Sequence, residues 1–205
     1  HGLDRFNTST ENIFKHYSAT GDFHSLKSNF IVAIKRTKEN QILIGTYFGL
    51  YQYNNLKDNF DLVREVPDDA FVYTIYQDTQ GTIWVGTIGD GVYYFNPDSK
   101  ARGNINIESI KHNNRIRNNV IDIFEDSNRT LWFSTEGTGI TSYSLLTQQF
   151  ENFTVKDGLP SNLIFKVLED KSRNLWMSTS NGLVCFNPLT KKAITYTKEN
   201  GLLSN

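Results

Sequence analysis

Residues 72–96 read VYTIYQDTQGTIWVGTIGDGVYYFN, and the order of residue types in that stretch decides the fold. The apolar pair Val72 and Ile75 leads to Asp78, with Gly81 three residues later. An aspartate that bonds nearby backbone and a glycine free of Cβ clashes make a β-turn. Trp84 stands on the strand that leaves this turn, which ends at the small pair Gly86-Thr87. Gly91-Val92 opens a further strand that runs to Phe95. Glycine there allows backbone angles that a side chain would forbid. β-branched and aromatic residues fill the rest, so the stretch reads as three strands joined by tight turns.

The same order recurs on both sides. The leading apolar pairs are Ile31/Ile34, Val72/Ile75, Val120/Ile123 and Ile164/Val167. The turn position holds Thr37, Asp78, Asp126 and Asp170, and the bulky strand position holds Leu43, Trp84, Trp132 and Trp176. Glycine precedes the third strand at Gly49, Gly91, Gly139 and Gly182. A closing pair for a fourth strand is read at Phe60/Val63, Ile107/Ile110, Phe150/Phe153 and Ala193/Tyr196. Leu43 and Trp84 stand 41 residues apart, Trp84 and Trp132 48, and Trp132 and Trp176 44. Four short strands at a period of about 40–50 residues define a β-propeller blade. The strands are called A to D in chain order. The bulky residue on strand B is expected to fill the gap between neighbouring sheets, since one blade cannot bury both of its faces alone. The first copy departs from the others at Thr37 and Leu43, and Asn40, Arg129 and Arg173 take the place of Gly81.

The expected fold is therefore all-β, a partial propeller spanning 1–205 and built of four-stranded antiparallel blades. The repeats fall at about 29–63, 70–110, 118–153 and 162–196. Residues 1–17 supply only strands C and D of another blade, because Gly2 to Asn7 repeats Gly182 to Asn187. Residues 197–205 read as the lead-in to a next blade, because GLLSN at 201–205 repeats GLPSN at 158–162. The natural protein is expected to continue on both sides. This piece alone is expected to expose unpaired edges and blade faces and to aggregate.

Composition limits the function classes. With 21 basic and 22 acidic residues, nothing favours nucleic acid or an anionic membrane surface. A single cysteine, Cys185, forbids an internal disulfide and reads as a small buried hydrophobe. No run approaches the roughly 18 apolar residues of a membrane span. The histidines His1, His16, His24 and His112 show no metal-ligand spacing, and His16 reads as a surface residue. No nucleophile elbow or phosphate-cradling loop occurs. The glycine-rich run from Gly86 to Gly91 joins two strands and reads as a B–C turn. The aspartates Asp78, Asp126 and Asp170 recur once per blade and read as turn chemistry. No catalytic residue, metal or cofactor is expected.

Two places are candidates for recognition. The B–C loops share one rim with the D–A connections, and they carry Tyr47, Phe48, Asp90, Glu136 and Asn181. Aromatic and polar groups on a rim suit stacking on and bonding to sugars; the plainer reading is a solvated loop. The second place is the link after the second full repeat. Gly91 lies 16 residues before Ile107, where the other repeats use 11, and residues 111–117 are basic and polar. Arg115 is the candidate there, against a solvated insertion.

The pattern V-x-x-I-x-x-D-x-x-G-x-[LI]-W-x-[GS]-T followed by G-[LIV]-x-x-[FY]-[NS], sharpest from Val72 to Asn96, resembles the two-component regulator propeller repeat. The resemblance implies the extracytoplasmic, periplasmic sensor region of a hybrid two-component histidine kinase anchored in the inner membrane. It implies an oligosaccharide ligand, a homodimeric parent, the rest of the parent sensor as partner, and no nucleic-acid contact by this segment. The segment itself would then be non-catalytic. The competing classes are a propeller enzyme such as a polysaccharide lyase or glycosidase, a protein-binding scaffold, and a sensor joined directly to a DNA-binding domain.

Overall fold

The computed structural model describes residues 2–6, 14–22, 24–106 and 119–203. Strands β1 (Leu3–Phe6) and β2 (Phe14–Tyr17) pair as a two-stranded antiparallel sheet. Blade 1 follows with β3 (Ile31–Arg36), β4 (Ile42–Thr46), β5 (Leu50–Asn54) and β6 (Asn59–Leu62). Blade 2 holds β7 (Phe71–Gln77), β8 (Ile83–Ile88), β9 (Val92–Phe95) and β10 (Arg102–Ile105). Blade 3 holds β11 (Val120–Glu125), β12 (Thr130–Thr135), β13 (Ile140–Ser144) and β14 (Phe150–Phe153). Blade 4 holds β15 (Ile164–Glu169), β16 (Leu175–Thr179), β17 (Gly182–Asn187) and β18 (Lys192–Tyr196). Each blade is a four-stranded antiparallel sheet in the order A-B-C-D. Four full blades and two strands of another are what the repeat implies.

One register differs from the sequence reading. Strand D of blade 2 pairs Ile105 with Val92 and Arg102 with Phe95. Its closing pair is therefore Arg102/Ile105, not Ile107/Ile110, and the interval from Gly91 is the usual 11 residues. The C–D turn and the ladder set the register, so the extra length lies beyond strand D, in the connection to strand A of blade 3. Residues 107–118, with Arg115, Ile107 and Ile110, lie outside the described residues, as does the 110 boundary of the second repeat.

Turn chemistry explains the local geometry. The position held by Gly81 (φ 84°) is left-handed in every blade, with φ of 63° at Asn40, 61° at Arg129 and 64° at Arg173. The glycine before strand C is more constrained. A Cβ on Gly91 would sit 2.3 Å from the Ile105 carbonyl oxygen, and one on Gly139 2.0 Å from that of Phe153.

The core lies between blades, not within them. Leu43 and Leu50 of blade 1 cluster with Val72, Ile83, Val85 and Phe95 of blade 2. Trp84 and Val92 cluster with Val120, Leu131 and Phe133 of blade 3. Trp132 and Phe153 cluster with Leu175, Met177 and Phe186 of blade 4. Trp84 and Trp132 are 4% and 3% exposed, which matches the gap-filling role expected of them. Apolar burial of this kind stabilises by roughly 25 cal/mol per Å², so each sheet depends on its neighbour. Cys185 alternates outward on β17 and is only half-buried, a correction to the buried reading.

Polar locks join the blades at both rims. On the A–B side, the residue before the turn aspartate reaches back to the preceding blade. The Glu125 carboxylate accepts from Thr79 N and Thr79 Oγ1, both at 2.7 Å. Glu169 accepts from Ser127 N at 2.9 Å and Ser127 Oγ at 2.8 Å. Gln77 Oε1 accepts from Lys38 N at 2.7 Å. On the other side, B–C loops bond D–A connections through backbone, as in Gly49 N to Ala70 O at 2.9 Å and Gly139 N to Asn162 O at 2.8 Å.

Candidate functional site

The four A strands stand side by side, each with a bulge near its start, at Val32, Tyr73, Ile121 and Phe165. They alone line an axial cavity of about 440 Å³, walled by Val32, Tyr73, Ile121 and Phe165. Asp122, 3% exposed, accepts from Lys166 Nζ at 2.6 Å and Val167 N at 3.1 Å. Burial pushes its carboxyl above the usual range, and the Lys166 ammonium opposes that shift. A carboxylate whose two oxygens already serve the next blade acts as a joint between A strands.

The B–C loop of blade 1 meets the start of two A strands, one of which carries the cavity-lining Tyr73. The Tyr47 ring stacks on Phe30 at 4.9 Å and lies 4.1 Å from Phe71. Phe71 in turn lies 6.1 Å from Tyr73. Phe30, Phe48 and Tyr47 are 52%, 50% and 40% exposed, so the cluster forms a shelf that faces solvent. Tyr47 thus belongs to an aromatic surface, with Phe48 exposed next to it in the same loop, while Phe30, Phe71 and Tyr73 are members that sequence reasoning missed. Their signal was aromatic residues flanking the bulge of strand A in successive repeats.

The remaining rim candidates do different work. Glu136 Oε2 accepts from Asn119 Nδ2 at 2.9 Å. Asn181 Nδ2 donates to the Pro160 carbonyl at 3.2 Å. Both side chains tie a B–C loop to a D–A connection. Asp90 takes its place on the rim with its amide bonded to Thr87 Oγ1 at 3.2 Å. Tyr47, Asp90, Glu136 and Asn181 belong to four successive blades, and no hydrogen bond or ring contact joins them to one another among the described residues.

The turn aspartates have a second task. Asp78 Oδ1 accepts from Gln80 N and Thr82 N at 2.9 Å, and its Oδ2 accepts from Trp84 Nε1 at 2.8 Å. Asp126 holds Asn128 N, Thr130 N and Trp132 Nε1 in the same way, as Asp170 holds Ser172 N, Asn174 N and Trp176 Nε1. The indole bond, then the Asn174 amide, holds the Asp170 carboxyl below the usual carboxylate range. One carboxylate thus shapes the turn and orients the indole that enters the next blade.

A titratable cluster around Asp58 is a joint as well. Asp58 accepts from Arg5 at 3.0 Å, from Tyr17 and Tyr53 at 2.6 Å, and from Lys15. It binds the β1–β2 sheet to blade 1. His16 Nδ1 lies 2.6 Å from Asp4 on the exposed face of β2. Among the described residues, no three His, Cys, Asp or Glu side chains converge as metal ligands, and no helix is long and apolar enough to cross a membrane.

Sheets ordered A to D and stacked around an axial cavity define a β-propeller segment. Residues 66–89, 114–137 and 158–181 match the model of the two component regulator propeller family. Each match spans strand A, the aspartate turn and strand B of blades 2, 3 and 4. Among solved structures, the extracellular domain of a hybrid two component system from B. thetaiotaomicron superposes with a TM-score of 0.79 at 24% identity. That match covers 98% of this chain and 26% of the other. The extracellular domain of a one component system from the same organism gives 0.76 at 20% identity, over 95% and 28%. Virginiamycin B lyase from Staphylococcus aureus gives 0.67 at 10% identity, over 94% and 61%. These likenesses establish the fold. The chain spans about a quarter of the two extracellular domains. No curated protein matches it in sequence.

Proposed function

We propose that this chain is the ligand-sensing part of an extracytoplasmic, periplasmic sensor in a hybrid two-component signalling histidine kinase, and that it recognises an oligosaccharide without catalysing its conversion. The family repeats and the likeness to extracellular domains of bacterial regulators support the setting. The observation that carries the ligand class is the aromatic cluster of Phe30, Tyr47 and Phe71, exposed at Phe30 and Tyr47 and continued through Phe71 to Tyr73, which lines the axial cavity. Flat aromatic faces held rigidly by neighbouring strands bury the apolar face of a sugar ring at little entropic cost. The rest of the parent, as a homodimer embedded in the inner membrane, would read the shift in arrangement that binding favours.

Calorimetry on the full-length protein with a panel of neutral and acidic oligosaccharides tests this reading. Tyr47→Ala is expected to weaken binding about tenfold, as loss of a central aromatic anchor does. Glu136→Ala is expected to act less, through the loop it holds. Unchanged affinity in both variants removes the rim from the site, and the absence of binding by every sugar overturns the ligand class.

A further inference from the structure

The groove between blades 1 and 2 differs in chemistry from its counterpart between blades 3 and 4. Both open on the outer side of the A–B rim, with volumes of about 630 Å³ and 650 Å³. In the later groove Trp132 and Phe153 form the wall. Its charges are satisfied internally. Glu151 pairs with Lys191, and Arg173 Nη1 donates to Asn128 Oδ1 at 3.3 Å.

In the earlier groove Leu43 replaces the tryptophan and Val63 the phenylalanine, so the floor is aliphatic apart from Phe95. Arg64, Lys100 and Arg102 stand on its margin. Arg102 occupies the strand-D position that is phenylalanine in blades 1 and 3, at Phe60 and Phe150. No hydrogen bond or ion pair engages the Arg64 or Arg102 guanidinium among the described residues, and Lys100 Nζ meets only the Pro97 carbonyl. Of the two carboxylates on the same margin, Asp61 accepts from Asn54 Nδ2 at 2.8 Å and lies 3.4 Å from His24 Nδ1, leaving Glu65. Blade 1 is also the full blade that the family model passes over.

We infer that the groove between blades 1 and 2 binds a carboxylate- or sulfate-bearing sugar, with Arg64 and Arg102 as its anion contacts and Leu43, Ile83 and Phe95 as its apolar floor. This rests on the oligosaccharide reading above and names the substrate class and a second place of contact. Planar guanidinium forks match such anions with two parallel hydrogen bonds. A volume near 630 Å³ is large enough to seat a short sugar chain in an open groove.

The test uses the full-length protein and two probes, a galacturonic acid oligosaccharide and the galactose oligosaccharide of equal length. The acidic probe is expected to bind more tightly, with an advantage that shrinks as salt rises. Arg64→Ala with Arg102→Ala should weaken the acidic probe about tenfold or more and leave the neutral one unchanged. Leu43→Trp should occlude the floor and weaken the acidic probe similarly, with the thermal melting transition retained. Should Leu43→Trp fail to fold, Gln52→Trp on the same wall serves as the occluding variant. Lys191→Ala, which removes the partner of Glu151 in the later groove, should change nothing. Acidic and neutral probes binding equally, or an acidic probe indifferent to the arginine pair, overturns the groove while sparing the oligosaccharide reading. Binding of neither probe overturns the groove, and the neutral and acidic panel then decides the reading beneath it.

Discussion

Blade 1 and blade 3 have the same strands and register, yet they are held together by different means. In blade 3 one buried carboxylate, Asp126, grips its own turn and the indole of Trp132, which then packs against Phe186 of the next blade at 6.1 Å. In blade 1 Thr37 Oγ1 accepts a single bond from Gln41 N at 3.2 Å, and Leu43 meets the next blade with no indole to orient. The same backbone forms in both. The turn geometry is therefore a backbone property that threonine can serve, whereas the aspartate–tryptophan link tightens the seam between blades.

Removing either part of the link in blade 3 is the strongest way to break the comparison. Trp132→Ala is expected to cost about 3–5 kcal/mol, because the cavity cannot fully collapse between two sheets. Leu43→Ala in blade 1 should cost about 2–3 kcal/mol, at the lower end for a buried leucine. Urea denaturation midpoints measure both, and equal losses would sink the idea that the two seams differ. Asp126→Ala leaves two amides and an indole without their acceptor and should cost about 2–3 kcal/mol, against about 1 or less for Thr37→Ala. Glu125→Ala removes only the clasp on Thr79 and should cost about 1–2 kcal/mol.

The smallest expected effect is electrostatic. Asp170 is held below its ordinary pKa of 3.8 in the folded state. A depressed carboxyl contributes stability that is present above the unfolded pKa and is lost as pH falls through the folded one. Carboxyl carbon NMR should show Asp170 titrating below an unfolded-state reference, and Trp176→Phe should move it back upward. No upward movement would mean that the indole does not set the shift.

The repeat and the turns were legible because apolar pairs, aspartates and tryptophans recur at fixed offsets. Strand D of blade 2 was misplaced because Arg102 stands in an apolar slot and Ile107/Ile110 offered a tempting pair further on. Rim residues were legible as rim residues but not by role. Glu136 and Asn181 bond their own connections, whereas Phe30 and Phe71 come from different blades and meet Tyr47 only in three dimensions. The side-chain clasp had a visible sign in Gln77, Glu125 and Glu169, each directly before a turn aspartate. Its partner lies 38 to 46 residues earlier, beyond what spacing within one repeat reveals.

That clasp also has a direction. Each clasping side chain, Gln77, Glu125 or Glu169, belongs to the later sheet and closes on a loop already made, so a ribosome releasing the chain from its amino end delivers each of these fasteners after the part it secures. Growth from one terminus would then proceed like a ratchet, with each new member locking its elder.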